Sequence, residues 1–210
     1  MLKRLLPALI WVYCLVVPAH ADLIATTEQL AATCFKILRG SDEISPPAGF
    51  DAVPEGELEA FRQEAAHAYT IRLATTSGSD VTPSELPQLV QGSAETLSER
   101  ADSLQFFRGM DDTGLLVSKY VVPDSLSYVE CLFWAAKDPE GAAEDLLRQL
   151  RFFPRKKHLF ATSVSVYGSA PVSDDGFSNI VSMDVYKPSD ALRSEKWPRI
   201  VVWLGHEASK

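Results

Sequence analysis

The chain has little cysteine: Cys14, Cys34 and Cys131 are the only three in 210 residues, and they lie far apart. With no Cys-x-x-Cys pair, the spacing of thiol redox enzymes and of clustered zinc ligands is missing. Histidine is also scarce. His67, His158 and His206 have no second ligand-type residue at metal spacing, so the sequence implies neither a metal nor a cofactor. Basic residues are outnumbered: 20 Lys and Arg against 28 Asp and Glu give a net charge of −8. An anionic surface repels phosphate backbones, which argues against nucleic acid as a partner. No Gly-x-Ser-x-Gly nucleophile signature occurs, because Gly168-Ser169-Ala170 lacks the second glycine and runs into Pro171. Asp111-Asp112 and Asp174-Asp175-Gly176 lack the alternating oxygen ligands of a calcium loop and read as turns. Beyond residue 17 no apolar run approaches the roughly 20 residues that span a bilayer, and no internal repeat is visible.

What is present begins with an address. Lys3 and Arg4 precede an uncharged run from Leu5 to Val17, followed by Pro18-Ala19-His20-Ala21. A basic start, a short apolar stretch and a small-x-small site are the parts of a secretory signal, with cleavage expected after Ala21. The run is too short for a spanning helix and contains Pro7. The expected organisation is a signal peptide over 1–21 and a single domain over 22–210, placed in the periplasm or outside the cell with no transmembrane segment. Loss of Lys3 and Arg4 leaves 18 basic residues against 28 acidic, a net charge of −10.

The same cut removes Cys14 and leaves Cys34 and Cys131. An even pair in an exported chain reads as a disulfide; two unconnected buried thiols are the alternative. Thr26 and Gln29 form the capping pattern of a helix whose face carries Leu30, Cys34, Ile37 and Leu38 and which stops at Gly40. Val129, Cys131, Phe133 and Ala135 share one face of a strand over 127–136. Both cysteines thus point inward from different elements.

Prolines 46, 47 and 54 impose a loop over 41–56. Residues 57–66 have helical spacing, and 69–74 alternate like a strand, with one helix to Leu73 as the competing reading. A polar loop over 75–92 and a helix over 93–108 follow. Strands are expected at 114–122, 127–136, 159–167, 180–186 and 200–204. Between the second and third, Asp138-Pro139-Glu140 opens a helix with a stripe of Ala143, Leu146, Leu147 and Leu150. Tandem strands with short polar connections predict an α+β fold: a two-layer sandwich of mostly antiparallel sheet with helices on one face.

The layout resembles that of small exported proteobacterial proteins of unestablished function. The resemblance is carried by Cys34 on the leading helix, Gly49-Phe50 before a proline loop, Cys131 on a central strand, the Asp138-Pro139 helix start and the closing strands. It spans most of the domain except residues 75–110, and it implies a fold without implying an activity.

Two functional expectations follow. In the first, the domain is a non-catalytic binding or envelope-associated module. Its contact is either the sheet or the turn Phe152-Phe153-Pro154-Arg155-Lys156-Lys157-His158, where aromatics and cations stand together and suit an anionic headgroup or an acidic partner. The competing reading makes Phe152 or Phe153 a cap on the core and Arg155, Lys156 and Lys157 a solvated turn at a helix end. In the second, the protein is an exported hydrolase whose site is assembled from distant residues around one of the three histidines. No catalytic residue is assigned. Trp134, Trp197 and Trp203 suit a core better than a ligand platform.

Overall fold

The computed structural model describes residues 34, 44–76, 81–100, 103–110, 112–122, 126–137, 141–170, 178–192 and 197–209. The expected signal segment, most of the expected leading helix and the expected Asp138-Pro139-Glu140 helix start lie outside these residues.

Among the described residues eight strands form one antiparallel sheet: β1 (Phe50–Ala52), β2 (Leu104–Gly109), β3 (Thr113–Val122), β4 (Leu126–Ala135), β5 (Arg155–Lys157), β6 (Ala161–Ala170), β7 (Ser178–Pro188) and β8 (Ile200–Ser209). Their order is β1-β2-β3-β4-β8-β7-β6-β5. Two four-stranded meanders therefore meet along β4 and β8, which pair from Leu126↔Ser209 to Ala135↔Ile200. Among the described residues three longer α-helices accompany the sheet, α1 (Leu58–Thr76), α2 (Leu86–Glu99) and α3 (Ala142–Gln149), and Cys34 is helical as well. The architecture is α+β, as expected.

The helices divide between the two faces of the sheet instead of gathering on one. Successive strand residues point to opposite sides, and the buried residues sort accordingly. Phe107, Leu115, Phe133, Val202, Val185 and Val164 form a continuous cross-strand row, packed with Ala143, Leu146 and Leu147 of α3 and with Cys34. Leu116, Leu132, Trp134 and Trp203 point the other way and pack with Phe61, Ala65, Ala68 and Ile71 of α1 and Leu97 of α2. The stripe expected of α3 is the one it buries.

Burial on both faces explains the apolar runs. Residues 200–204 are buried without a break, as in strands covered on both sides. It also explains why β2 is a strand although residues 93–108 read as helix: Phe106 and Phe107 enter opposite cores, so the segment shows no alternation.

The alternation of Tyr69, Ile71 and Leu73 belongs to a helix, and the single-helix reading holds. The second half of α1 lies between sheet and α2, so Ala65, Ala66, Ala68, Thr70 and Ile71 are all buried and no exposed residue remains from Ala65 to Thr75. Small alanines let it approach the sheet closely. Thr70 Oγ1 donates to Ala66 O at 2.7 Å and lies 2.8 Å from Ser93 Oγ of α2. The expected loop over 75–92 gives way to α2 at Leu86. Its entry is secured by Glu85, whose carboxylate accepts from Thr82 N and Thr82 Oγ1, both at 2.7 Å. These hydrogen bonds hold the exposed Glu85 carboxyl below its usual pKa.

Cys34 and Cys131 form a disulfide with a Cα–Cα distance of 6.4 Å. It ties the N-terminal segment to the centre of β4 on the α3 side of the sheet.

Candidate functional site

The Phe152–His158 segment follows α3 and contains β5, the outermost strand of its half of the sheet. Residues expected in a turn thus form an edge strand, with Arg155↔Val164, Lys156↔Ser163 and Lys157↔Thr162 as partners. Phe152 is 83 % exposed and Phe153 38 %, so neither caps the core. Leu159, 59 % exposed, extends the apolar surface past the cations. The Arg151 guanidinium stands 5.0 Å from the Phe152 ring centroid. Arg155 and Lys187 both engage Glu144 of α3, at 3.2 and 2.9 Å, and these cations hold the Glu144 carboxyl below its usual range. Lys156 and Lys157 have no ion pair among the described residues, and all three side chains of β5 are exposed. Lysine on an edge strand also discourages pairing with another sheet.

A second region lies at the other end of the fold, where the β2–β3 hairpin meets α1 and the start of β8. There Phe61, Glu64, Arg108, Asp112, Trp134 and Trp197 line much of a cleft of about 530 Å³. Asp112 occupies the hairpin turn in the left-handed region at φ 57°, which Asp tolerates. Its carboxylate bonds Lys137 Nζ at 2.6 Å. Arg108 pairs with Glu57 and stands 5.0 Å over the Phe61 ring. Glu64 has no hydrogen bond or ion pair among the described residues. Its carboxyl pKa is raised, first by desolvation and then by Asp112, against the lowering effects of Arg108 and His67.

No protein-family model, curated protein or solved structure matches the chain. The resemblance to small exported proteins therefore rests on the sequence layout, and function must be argued from side chains.

The histidines do not converge. His67 Nδ1–H donates to Gln63 O at 2.7 Å, and its ring meets Trp197 edge-on at 4.9 Å. His158 Nε2 is 3.1 Å from Ser163 Oγ, but Ser163 is only 4 % exposed and no described carboxylate bonds the ring. This pair lacks both the orienting acid and the accessible nucleophile of hydrolytic chemistry. The side chain of His206 lies outside the described set. Among the described residues no group of three His, Cys, Asp or Glu can hold a metal ion, and no helix is long and apolar enough to cross a membrane.

One charged cluster was not signalled by any motif. Glu130, 5 % exposed on β4, accepts from Arg72 at 2.8 Å and from the Trp203 indole N–H at 2.7 Å. Arg72 also lies 4.1 Å over the Trp203 ring. Arg100 stands 3.8 Å from the other carboxylate oxygen and donates to Ser118 Oγ at 2.8 Å. Arg72 is near the end of α1 and Arg100 caps α2, so each cation also meets a negative helix terminus. The carboxylate is thus paired, as a buried charge must be. Trp134 and Trp203 are buried core residues, while Trp197 is half-buried at the cleft.

Proposed function

We propose that this protein is an exported, non-catalytic module that associates with an anionic membrane surface through the edge formed by Phe152, Phe153, Arg155, Lys156, Lys157 and Leu159. Export follows from the signal-like N-terminus, with cleavage after Ala21 delivering the domain to the periplasm or beyond; the disulfide fits an oxidising compartment. The observation that carries the reading is the exposure of Phe152 beside three consecutive exposed cations in an otherwise acidic chain.

The energetics suit reversible contact. Each Lys or Arg near an anionic surface contributes about 1 kcal/mol. Arg155 contributes less because Glu144 already engages it. Burial of one Phe adds about 1.5–3 kcal/mol. A few kcal/mol corresponds to roughly millimolar affinity, strengthened where several copies engage one surface.

The test is co-sedimentation with phosphatidylglycerol and phosphatidylcholine vesicles. Wild type should pellet with the anionic vesicles alone, and the Arg155→Gln, Lys156→Gln, Lys157→Gln variant should stay in the supernatant with its near-UV circular dichroism unchanged. Equal pelleting of the two proteins would remove the proposal.

A further inference from the structure

The cleft between α1 and the β2–β3 hairpin is separate from the basic edge, and its chemistry differs. Apolar walls come from Phe61, Trp134 and Trp197. The charged groups around it are Glu64, Asp112 with its partner Lys137, and Arg108 with its partner Glu57, which together leave one net negative charge. Asp112 and Arg108 already have countercharges within reach. Glu64 alone makes no ion pair or hydrogen bond among the described residues, and Arg108 acts on it only at longer range.

An exposed carboxylate lining an aromatic-walled cleft, with no ion pair of its own among the described residues, leaves room for a donor carrying positive charge. Aromatic faces attract organic cations, most strongly where water is excluded. An ammonium group supplies hydrogen bonds as well as charge, and charge-assisted bonds to carboxylate are the strong ones. A short alkyl chain on the same ligand would lie against the indole of Trp197. A neutral polyol would satisfy hydrogen bonding but would bring no countercharge to Glu64.

We propose that this cleft is a binding site for a small protonated alkylamine, with Glu64 as the anionic anchor and Trp197 as the apolar wall that meets its carbon chain.

Three groups act electrostatically on Glu64: Arg108 from β2, Asp112 from the hairpin and His67 from α1 itself. Because desolvation raises the pKa of Glu64, its carboxylate charge is lost on acidification sooner than that of an ordinary glutamate. Amine binding should therefore weaken as the pH falls toward the acid range, before the ordinary carboxylates have titrated.

The experiment titrates the full domain with n-butylammonium and, in parallel, with the neutral n-butanol and with glucose, following the Trp197 indole N–H signal by NMR. Butylammonium should give saturable shifts in the millimolar range, with butanol and glucose at least tenfold weaker. Glu64→Gln should weaken butylammonium at least tenfold. Glu64→Lys, which places an ammonium in the cleft covalently, should abolish saturation while the domain keeps its thermal midpoint. The Arg155→Gln, Lys156→Gln, Lys157→Gln variant should bind the amine as wild type does, so failure at the membrane edge and failure here are distinguishable. Butanol or glucose binding as tightly as the amine, unchanged affinity in Glu64→Gln, or no saturable shift would each overturn the assignment.

Discussion

The indole of Trp134 lies across Gly114, its directly opposed partner on β3, so closely that a β-carbon on Gly114 would come within 2.1 Å of the ring. Only glycine leaves room for that ring beside the strand. Trp134 in turn packs on Phe61, with ring centroids 5.3 Å apart, and forms part of the cleft wall. Gly114→Ala should therefore displace Trp134 at a cost of about 1–3 kcal/mol, in the range of overpacked cores. Urea denaturation followed by tryptophan fluorescence measures the cost, and an unchanged midpoint would contradict the packing described.

Glu130 makes a charged network inside the helix-covered face of the sheet. Its removal leaves the Trp203 N–H without its acceptor and takes from Arg72 its ion pair with this carboxylate. Glu130→Ala should lose about 2–4 kcal/mol, below the full value for a completely buried pair because Arg72 retains some contact with water. Glu130→Gln keeps an acceptor and should lose less. Chemical denaturation of both variants checks that order.

The disulfide closes a loop between residues 97 apart in sequence. In the chain-entropy account a loop of this size is worth up to about 4.7 kcal/mol. Reduction should lower the denaturation midpoint correspondingly, and the folded, unreduced protein should resist alkylation at both thiols. Intact mass of the exported product should begin at Asp22 and show the loss of two hydrogens.

The Tyr186 hydroxyl is buried with no hydrogen-bond partner; Thr75 and Asp184 influence it, but neither meets it in bonding geometry. Burial, and then the Asp184 carboxylate, push its pKa well above the ordinary value of 10.0. The folded state thus favours the neutral phenol, so stability is intact below pH 10 and falls as the pH rises beyond it, where the unfolded chain ionises first. Tyr186→Phe should leave stability at pH 7 unchanged or raise it by up to about 1 kcal/mol, and should soften the alkaline loss. Thermal unfolding at pH 7 and pH 11 measures both.

The strands of the C-terminal half and α3 were readable because their patterns are clean: Val129, Cys131, Phe133 and Ala135 on one side of β4, and Leu146 and Leu147 on one side of α3. Three features resisted. The second half of α1 is enclosed between sheet and α2, which erased there the polar face that marks a helix. β2 buries Phe106 and Phe107 on opposite sides, which erased alternation. β5 is short and fully exposed, so it has no apolar pattern. The start of α2 was legible in principle, since Thr82 and Glu85 stand at the spacing of a capping box. Of the candidate sites, the basic edge was visible as a run of adjacent residues. The Glu64 cleft draws on α1, β2, the hairpin and the start of β8, and the Glu130 cluster unites residues from two helices and three strands, so only folding reveals either.

The claim of membrane contact is tested most directly by a reporter on the edge itself. Phe152→Cys, labelled with an environment-sensitive fluorophore while Cys34 and Cys131 remain bonded, should shift to the blue on phosphatidylglycerol vesicles and return in high salt. The same label at Met110, an exposed apolar residue after β2, should not respond. A shift at Met110 with none at Phe152, or no shift at either while the protein pellets with the vesicles, would contradict the account.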